Sequence, residues 1–268
     1  MKKQTRLAAP LMLTAVAVVL GALWAVDLLM FREAGTGFVT AGSVYLRYFA
    51  VFVYAVFAYI LSRRVEGEWA TLYKTQSKQL FLVLNITIIV FCACGLYNLA
   101  WGAITGNLVE AILGMLRILA GVWFSKLKGV FKGITQTPTQ SALVGFGMCL
   151  FFYGLLLSRF LIKPASIHHT VPNMQILTGI SAVGLIFTLL SSSYLYDEGK
   201  STKRIFFWGN LAFLLECCVT LPIAVYVIVA KNAPVLATLA AALPEAMFGI
   251  LGLALATMVY TEQGTNDK

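Results

Sequence analysis

The chain has 268 residues, of which 60% are hydrophobic and 12% charged, and its mean hydropathy is +0.85. A soluble domain of this size could not bury that much apolar surface in one core, so the composition indicates a protein of the lipid bilayer. The formal net charge of +9 would suggest a nucleic-acid partner on a soluble basic face, but the basic residues lie in connections between apolar segments, so we expect no nucleic acid.

Eight apolar segments follow one another along the chain, with only short connections between them. Each has the length of about 20 residues that a helix needs to cross the hydrocarbon core. We therefore expect an all-α polytopic integral membrane protein with about eight transmembrane helices. The first segment follows a basic run but is too long for a signal peptide, so we expect it to be retained. The predicted spans are residues 7–31, 38–62, 80–101, 108–125, 141–162, 174–196, 205–230 and 233–260.

Basic residues are distributed unequally between the two sides of these spans. Fourteen of the 20 Lys and Arg residues fall on one side, and two fall within spans, Arg47 and Arg117. The other side carries Arg32, Arg159, Lys163 and Lys231. Because positively charged connections stay in the cytoplasm, we expect a multi-pass protein of the cell membrane with both termini cytoplasmic.

Two stretches of the chain resemble each other and indicate an internal repeat. Residues 78–93 (KQLFLVLNITIIVFCA) match residues 203–218 (KRIFFWGNLAFLLECC), which pairs Asn85 with Asn210. Further along, VEAILGML at 109–116 matches PEAMFGIL at 244–251, which pairs Glu110 with Glu245. The same order of matches in both copies predicts a duplication. We expect residues 1–130 and 131–268 to form two four-helix membrane repeats, which are parallel because an even number of crossings preserves orientation.

The repeat also predicts where the last span begins. Aligning Val109 with Pro244 makes Pro244 the first residue of the last helix, a position at which proline is tolerated. Residues 233–243 would then form a separate apolar segment near the outer face. The alternative is one continuous helix over 233–260, kinked at Pro244, which would place Glu245 deeper in the membrane.

Three charged residues lie near the middle of predicted spans, where a charge is costly and indicates a functional site. They are Glu216, Arg47 and Arg117, whereas Glu110 and Glu245 are predicted nearer the outer ends of their spans. The alternative is an ion pair of Glu216 with Arg47 or Arg117 that docks the two halves and binds nothing. The candidate solute- or ion-binding residues are Glu216, Arg47, Arg117, Asn85, Asn210, Glu110 and Glu245, of which the two asparagines are expected chiefly to form hydrogen bonds between helices.

Recognised catalytic motifs are missing from the sequence, and an enzyme is therefore not expected. The five cysteines all fall within predicted spans and are expected to be free thiols, and no histidine lies in a span, so we expect no metal or haem cofactor. The predicted function is binding or passage of a small solute or ion at a polar site between the two halves, near the middle of the membrane. The alternative is a non-catalytic membrane subunit or sensor that anchors a partner protein.

Overall fold

A computed structural model describes residues 2–32, 38–65, 77–132, 142–162, 167–194 and 200–262. These residues form helices and short connections, with no strand among them. The helices are α1 (Lys2–Met30), α2 (Val44–Ser62), α3 (Lys78–Thr105), α4 (Leu108–Phe131), α5 (Ala142–Ile162), α6 (Thr170–Tyr194), α7 (Lys200–Ala212), α8 (Thr220–Lys231) and α9 (Val235–Glu262). A π-helical segment, Phe213–Val219, joins α7 to α8 without a break.

Seven helical stretches within the described residues are long and apolar enough to cross a membrane, so the chain is a multi-pass helical membrane protein. The seventh predicted span corresponds to the continuous rod Ser201–Lys231, which includes α7, the π-helical segment and α8. The fifth predicted span corresponds to α5, whose apolar stretch, Gly145–Leu161, is shorter than the other seven. The exact number of eight crossings therefore stays a prediction.

The second span begins later than predicted. Helix α2 starts at Val44 rather than near residue 38, because Gly42 adopts a positive φ of 80° and Val39 forms an isolated bridge with Arg32. Glycine is the residue that adopts this backbone conformation without strain. As a consequence, Arg47 lies in the first turn of its helix, and its predicted position near the middle of the membrane is wrong.

The last helix is continuous through Pro244. Helix α9 runs from Val235 to Glu262 with the proline inside it, so the predicted start at Pro244 is wrong and the alternative of one helix holds. Proline inside a membrane helix is tolerated when another group binds the backbone carbonyl that it leaves without a donor. Glu245 therefore lies ten residues into α9 rather than in its first turn.

Helix α9 occupies the centre of the described structure. It packs against α3, α7 and the π-helical segment, and its Phe248 ring contacts the Phe152 ring in a tilted arrangement with 4.7 Å between centroids. Phe124 of α4 lies 6.0 Å from the same Phe248 ring. These aromatic contacts join helices from both predicted halves in one apolar core. The internal repeat and its boundary near residue 130 stay predictions.

The predicted orientation can be checked with single cysteines introduced at exposed positions. In a background without the five native cysteines, His168→Cys and Lys231→Cys should react with an impermeant thiol reagent in intact cells. Arg64→Cys and Lys132→Cys should react only after the membrane is opened, because the excess of basic residues places them in the cytoplasm. Labelling of the second pair in intact cells, with the first pair protected, would reverse the orientation.

Candidate functional site: an intramembrane polar cluster

Glu216 is held by the π-helical segment in the middle of a membrane span. It lies fifteen residues from each end of the stretch Ser201–Lys231. Pro222 follows the segment and has no N–H group to donate to the carbonyl of Cys218, which weakens the α-helical hydrogen-bond ladder at this place. Single-turn π-helical segments inside α-helices frequently occur at functional sites.

The carboxyl group of Glu216 is buried without a hydrogen-bond partner. The residue is 1% exposed, and neither carboxyl oxygen has a partner among the described residues. The Ser181 hydroxyl of α6 lies close enough to hydrogen-bond the carboxyl group, but its single proton is directed instead to the carbonyl oxygen of Thr178, at an O–O distance of 2.8 Å. Gly249 of α9 allows the close approach, since a Cβ atom there would lie 3.0 Å from the Glu216 Cβ. Glu216 is therefore an orphan carboxyl group in a closely packed environment.

A buried ion pair lies near Glu216. Arg159 of α5 donates from Nη2 to both carboxylate oxygens of Glu245, at 2.5 and 2.6 Å. Its Nη1 donates to the Thr178 hydroxyl at 2.6 Å and to the Gln175 carbonyl at 3.1 Å, both on α6. The electrostatic fields of Glu245 and Arg159 reach the Glu216 carboxyl group. The pair thus connects three helices, and Glu245 lies ten residues from the start of α9 rather than in its first turn.

Arg117 of α4 binds a backbone carbonyl of α9 that Pro244 leaves without a hydrogen-bond donor. Its Nη1 donates to the Ala240 carbonyl at 3.0 Å, and Ala240 precedes Pro244 by the four residues of a helical hydrogen bond. Because Pro244 has no N–H, this carbonyl is available to the guanidinium. Asn98 of α3, oriented to donate to the Cys94 carbonyl, accepts from the same Nη1 at 2.9 Å. The Arg117 guanidinium also lies 5.2 Å from the centroid of the Phe151 ring.

The ion pairs predicted for Glu216 do not form. Arg47 binds Asp27 of α1, with its Nε 2.9 Å from Oδ1 and 3.0 Å from Oδ2, because both residues lie near the same end of their helices. Arg32 also donates to Asp27, at 3.2 Å, and burial lowers the pKa of the Arg32 guanidinium while the Asp27 carboxylate opposes this effect. Arg117 has no carboxylate within salt-bridge distance among the described residues. The hypothesis of a docking pair that includes Glu216 is therefore wrong.

The three remaining candidate residues lie apart from this cluster. Asn85 is exposed and accepts from Lys128 Nζ of α4 at 2.5 Å, which is an interhelical hydrogen bond as predicted. Asn210 is buried and donates to the Phe206 carbonyl of its own helix at 2.7 Å. Glu110 lies in the first turn of α4, whose N-cap is Asn107. None of the three contributes to a site with Glu216.

Four charged residues lie close enough to influence one another electrostatically, and we call them the midplane cluster because Glu216 lies halfway along the rod Ser201–Lys231. They are Arg117, Arg159, Glu216 and Glu245. The sequence identified three of them, and it missed Arg159 because this residue lies near the end of its predicted span, where a charge is common. Its long side chain reaches inwards to Glu245, and the side chains of the pair are only 14% and 5% exposed. Two guanidinium groups and one carboxylate in the cluster have partners, while the second carboxyl group has none.

No protein-family model, curated protein or solved structure matches the chain.

Proposed function

We propose that this multi-pass membrane protein binds a proton at Glu216 and passes it through the midplane cluster. The observation that carries the proposal is the pair of buried Glu216 oxygens without a partner, halfway along a membrane span. An ionised carboxylate in that setting is strongly unfavourable unless a positive partner compensates it. A proton supplies this compensation within the closely packed volume that Gly249 and Ser181 leave around the group.

A proton fits this environment better than a metal cation does. Hard cations such as Mg²⁺ and Ca²⁺ take six or more oxygen ligands, whereas Ser181 is the polar side chain beside the Glu216 carboxyl group. Among the described residues, no three His, Cys, Asp or Glu side chains are grouped for metal binding. A proton needs only the carboxyl oxygen itself, and chains of buried acidic groups carry protons in pumps and transporters.

The Arg159–Glu245 pair is the fixed electrostatic neighbour of Glu216 in the proposed pathway. Glu245 lies ten residues into α9 from its start, and the fields of both partners reach Glu216. When Glu216 is protonated, its electrostatic repulsion of Glu245 disappears, so the two carboxyl groups respond to each other. We propose that Glu216 is the exchanging group and that Glu245 is the stationary group of the pathway. The alternative function, a subunit or sensor that anchors a partner, stays a prediction from the sequence.

Vesicles containing the purified protein test this function. With a pH-sensitive dye inside and a potassium diffusion potential across the membrane, the wild-type protein should acidify the lumen faster than empty vesicles. Glu216→Gln should reduce this rate to that of empty vesicles, because an amide cannot exchange a proton. Glu110→Gln, which removes a partly exposed carboxylate near the start of α4, is the matched control and should leave the rate unchanged.

Infrared difference spectroscopy separates binding from passage. A protonated-carboxyl band that changes with pH should be present in the wild-type protein and in Glu110→Gln, and it should disappear in Glu216→Gln. A titrating band without proton flux would favour the sensor alternative over passage. Wild-type flux in a folded Glu216→Gln variant would refute the proposed pathway.

A further inference from the structure

A cavity of about 330 Å³ lies between α1 and α2, away from the midplane cluster. We call it the α1–α2 cavity. Helices α1 and α2, the connection at residues 41–43, Met174 of α6 and the two π-segment residues Leu214 and Val219 form its walls. Its volume falls within the range of small-molecule sites in proteins, about 300–1,000 Å³. Glu216 is not among the residues that line it, so the cavity is separate from the proposed proton site.

The α1–α2 cavity extends from the lipid-facing surface into the core. Leu23 and Leu46 in its walls are 61% and 66% exposed, whereas Met174 and Leu214 are each 1% exposed. In a bilayer, exposed leucines of two spanning helices are in contact with lipid chains rather than with water. The entrance to the cavity therefore faces the hydrocarbon, and the walls near it and at its inner end are apolar side chains.

The polar end of the cavity lies near the ends of its two helices. Asp27 precedes the end of α1 by three residues, and Arg47 follows the start of α2 by three residues. At a rise of about 1.5 Å per residue, both lie roughly 5 Å from the helix ends. The head groups begin at about the ends of spanning helices, and long charged side chains one turn inside can extend to them. A molecule filling the cavity therefore has its polar end at Arg47 and its apolar part towards Leu214.

The hydrogen bonds at this end of the cavity favour a ligand with a negatively charged group. Both Asp27 oxygens already accept from guanidinium groups, Oδ1 from Arg47 and Oδ2 from Arg47 and Arg32. Arg47 also donates to the carbonyl oxygens of Ser43 and Ala41, each at 3.0 Å. These contacts occupy four of the five N–H groups of Arg47, and its Nη1 retains one donor. Gly42, which has no side chain, leaves the guanidinium uncovered on that side.

From these contacts we propose that the α1–α2 cavity binds one acyl chain of an anionic phospholipid, with the lipid phosphate at Arg47. The acyl chain matches the apolar walls, and the phosphate accepts the remaining Nη1 hydrogen bond, a charge-assisted pairing that arginine favours. A lipid whose head group also carries a cation, such as the choline of phosphatidylcholine, would find both Asp27 oxygens occupied and no acceptor for that cation. A water-soluble solute would have to cross the lipid to reach an entrance that faces the hydrocarbon.

Tryptophan fluorescence provides a direct test, because Trp24 lines the cavity and is only 7% exposed. Three single-tryptophan proteins are prepared, with the other tryptophans changed to phenylalanine. They retain Trp24, Trp101, which is 46% exposed, or Trp123, which is fully buried. Each is reconstituted with phospholipids that are brominated in the acyl chain and that quench tryptophan fluorescence on contact. The brominated lipid is either phosphatidylglycerol or phosphatidylcholine.

Brominated phosphatidylglycerol should quench Trp24 at a low mole fraction and reach saturation, whereas brominated phosphatidylcholine should quench it only at high mole fractions. Trp101 should be quenched in proportion to the mole fraction of either lipid, since it faces bulk lipid, and Trp123 by neither. Trp24 quenching that equals that of Trp123, or that is the same for both head groups, would overturn the proposal.

Filling the cavity tests the location of the chain. Ala50→Phe adds a ring to the cavity wall and should abolish the saturating quenching of Trp24. Val56→Phe adds similar bulk at an exposed position of α2 outside the cavity and is the matched control. Unchanged saturation in a folded Ala50→Phe protein would contradict the proposed site. If Ala50→Phe does not fold, the comparison of the two head groups with Trp24 still decides the question.

Discussion

Glu245→Gln is expected to lower the free energy of unfolding by about 3–5 kcal/mol, because it leaves the Arg159 guanidinium buried without a carboxylate. The structure joins these groups by two hydrogen bonds of 2.5 and 2.6 Å between side chains that are 14% and 5% exposed. Arg159→Met should destabilise the protein by a comparable amount, since it leaves Glu245 unpaired. Equilibrium unfolding of the purified protein in detergent micelles measures both changes.

The double variant Arg159→Met, Glu245→Leu should recover most of this loss, because two apolar side chains can replace a buried pair at little net change in stability. The four proteins form a double-mutant cycle that isolates the interaction between the two residues. Glu110→Gln removes a partly exposed carboxylate and should change stability by no more than about 0.5 kcal/mol. A Glu245→Gln protein as stable as Glu110→Gln would mean that the pair does not stabilise the fold.

Glu216→Gln and Glu216→Leu are expected to have the opposite effect on stability. An unsatisfied buried polar group destabilises a protein by about 1–3 kcal/mol, so Glu216→Leu should raise the melting temperature and Glu216→Gln should at least preserve it. The reason is that neither oxygen of Glu216 has a hydrogen-bond partner among the described residues. Both variants should nevertheless lose proton flux, as expected where a functional group is retained at a cost in stability.

This second result separates two roles that the sequence left open. A Glu216 residue that neutralised an arginine would make both substitutions strongly destabilising, by about 3–5 kcal/mol. Thermal melting in the same detergent, with Glu245→Gln as the destabilised reference, distinguishes the outcomes. A large loss of stability in Glu216→Leu would show that the residue has a structural partner and would remove the basis of the proton-binding proposal.

The sequence predicted the helical class because this class depends on the length of the apolar segments. It misplaced Arg47 because hydropathy alone extended the second span back through Gly42, whose positive φ precedes the helix. It placed Glu245 near the surface because proline is common at helix starts, whereas Pro244 lies inside α9. A neighbouring arginine compensates for the lost backbone hydrogen bond there, and such compensation depends on packing between distant helices that a single sequence does not contain.

The sequence also did not predict which groups bind the buried guanidinium groups of Arg117 and Arg159. Arg117 binds a backbone carbonyl, which any residue type at position 240 would provide. Arg159 is near a predicted helix end, where arginine usually extends towards water. The presence of a proline four residues after Ala240 is the signal that could have indicated an available carbonyl acceptor. No comparable local signal marks the pairing of Arg159 with Glu245.

The dependence of Arg117 and Arg159 on α9 has a consequence for biosynthesis. The acceptor of Arg117 lies 123 residues further along the chain, and that of Arg159 lies 86 residues further. Membrane proteins are inserted as they are translated, so both guanidinium groups enter the membrane before the ribosome has made Ala240 and Glu245. Until α9 arrives, Arg117 lacks its carbonyl acceptor and Arg159 lacks its carboxylate partner, although Arg159 can already bind α6. Insertion of α9 is therefore the step that supplies both missing acceptors, and the arrangement of the earlier helices is completed only when the last one is in place.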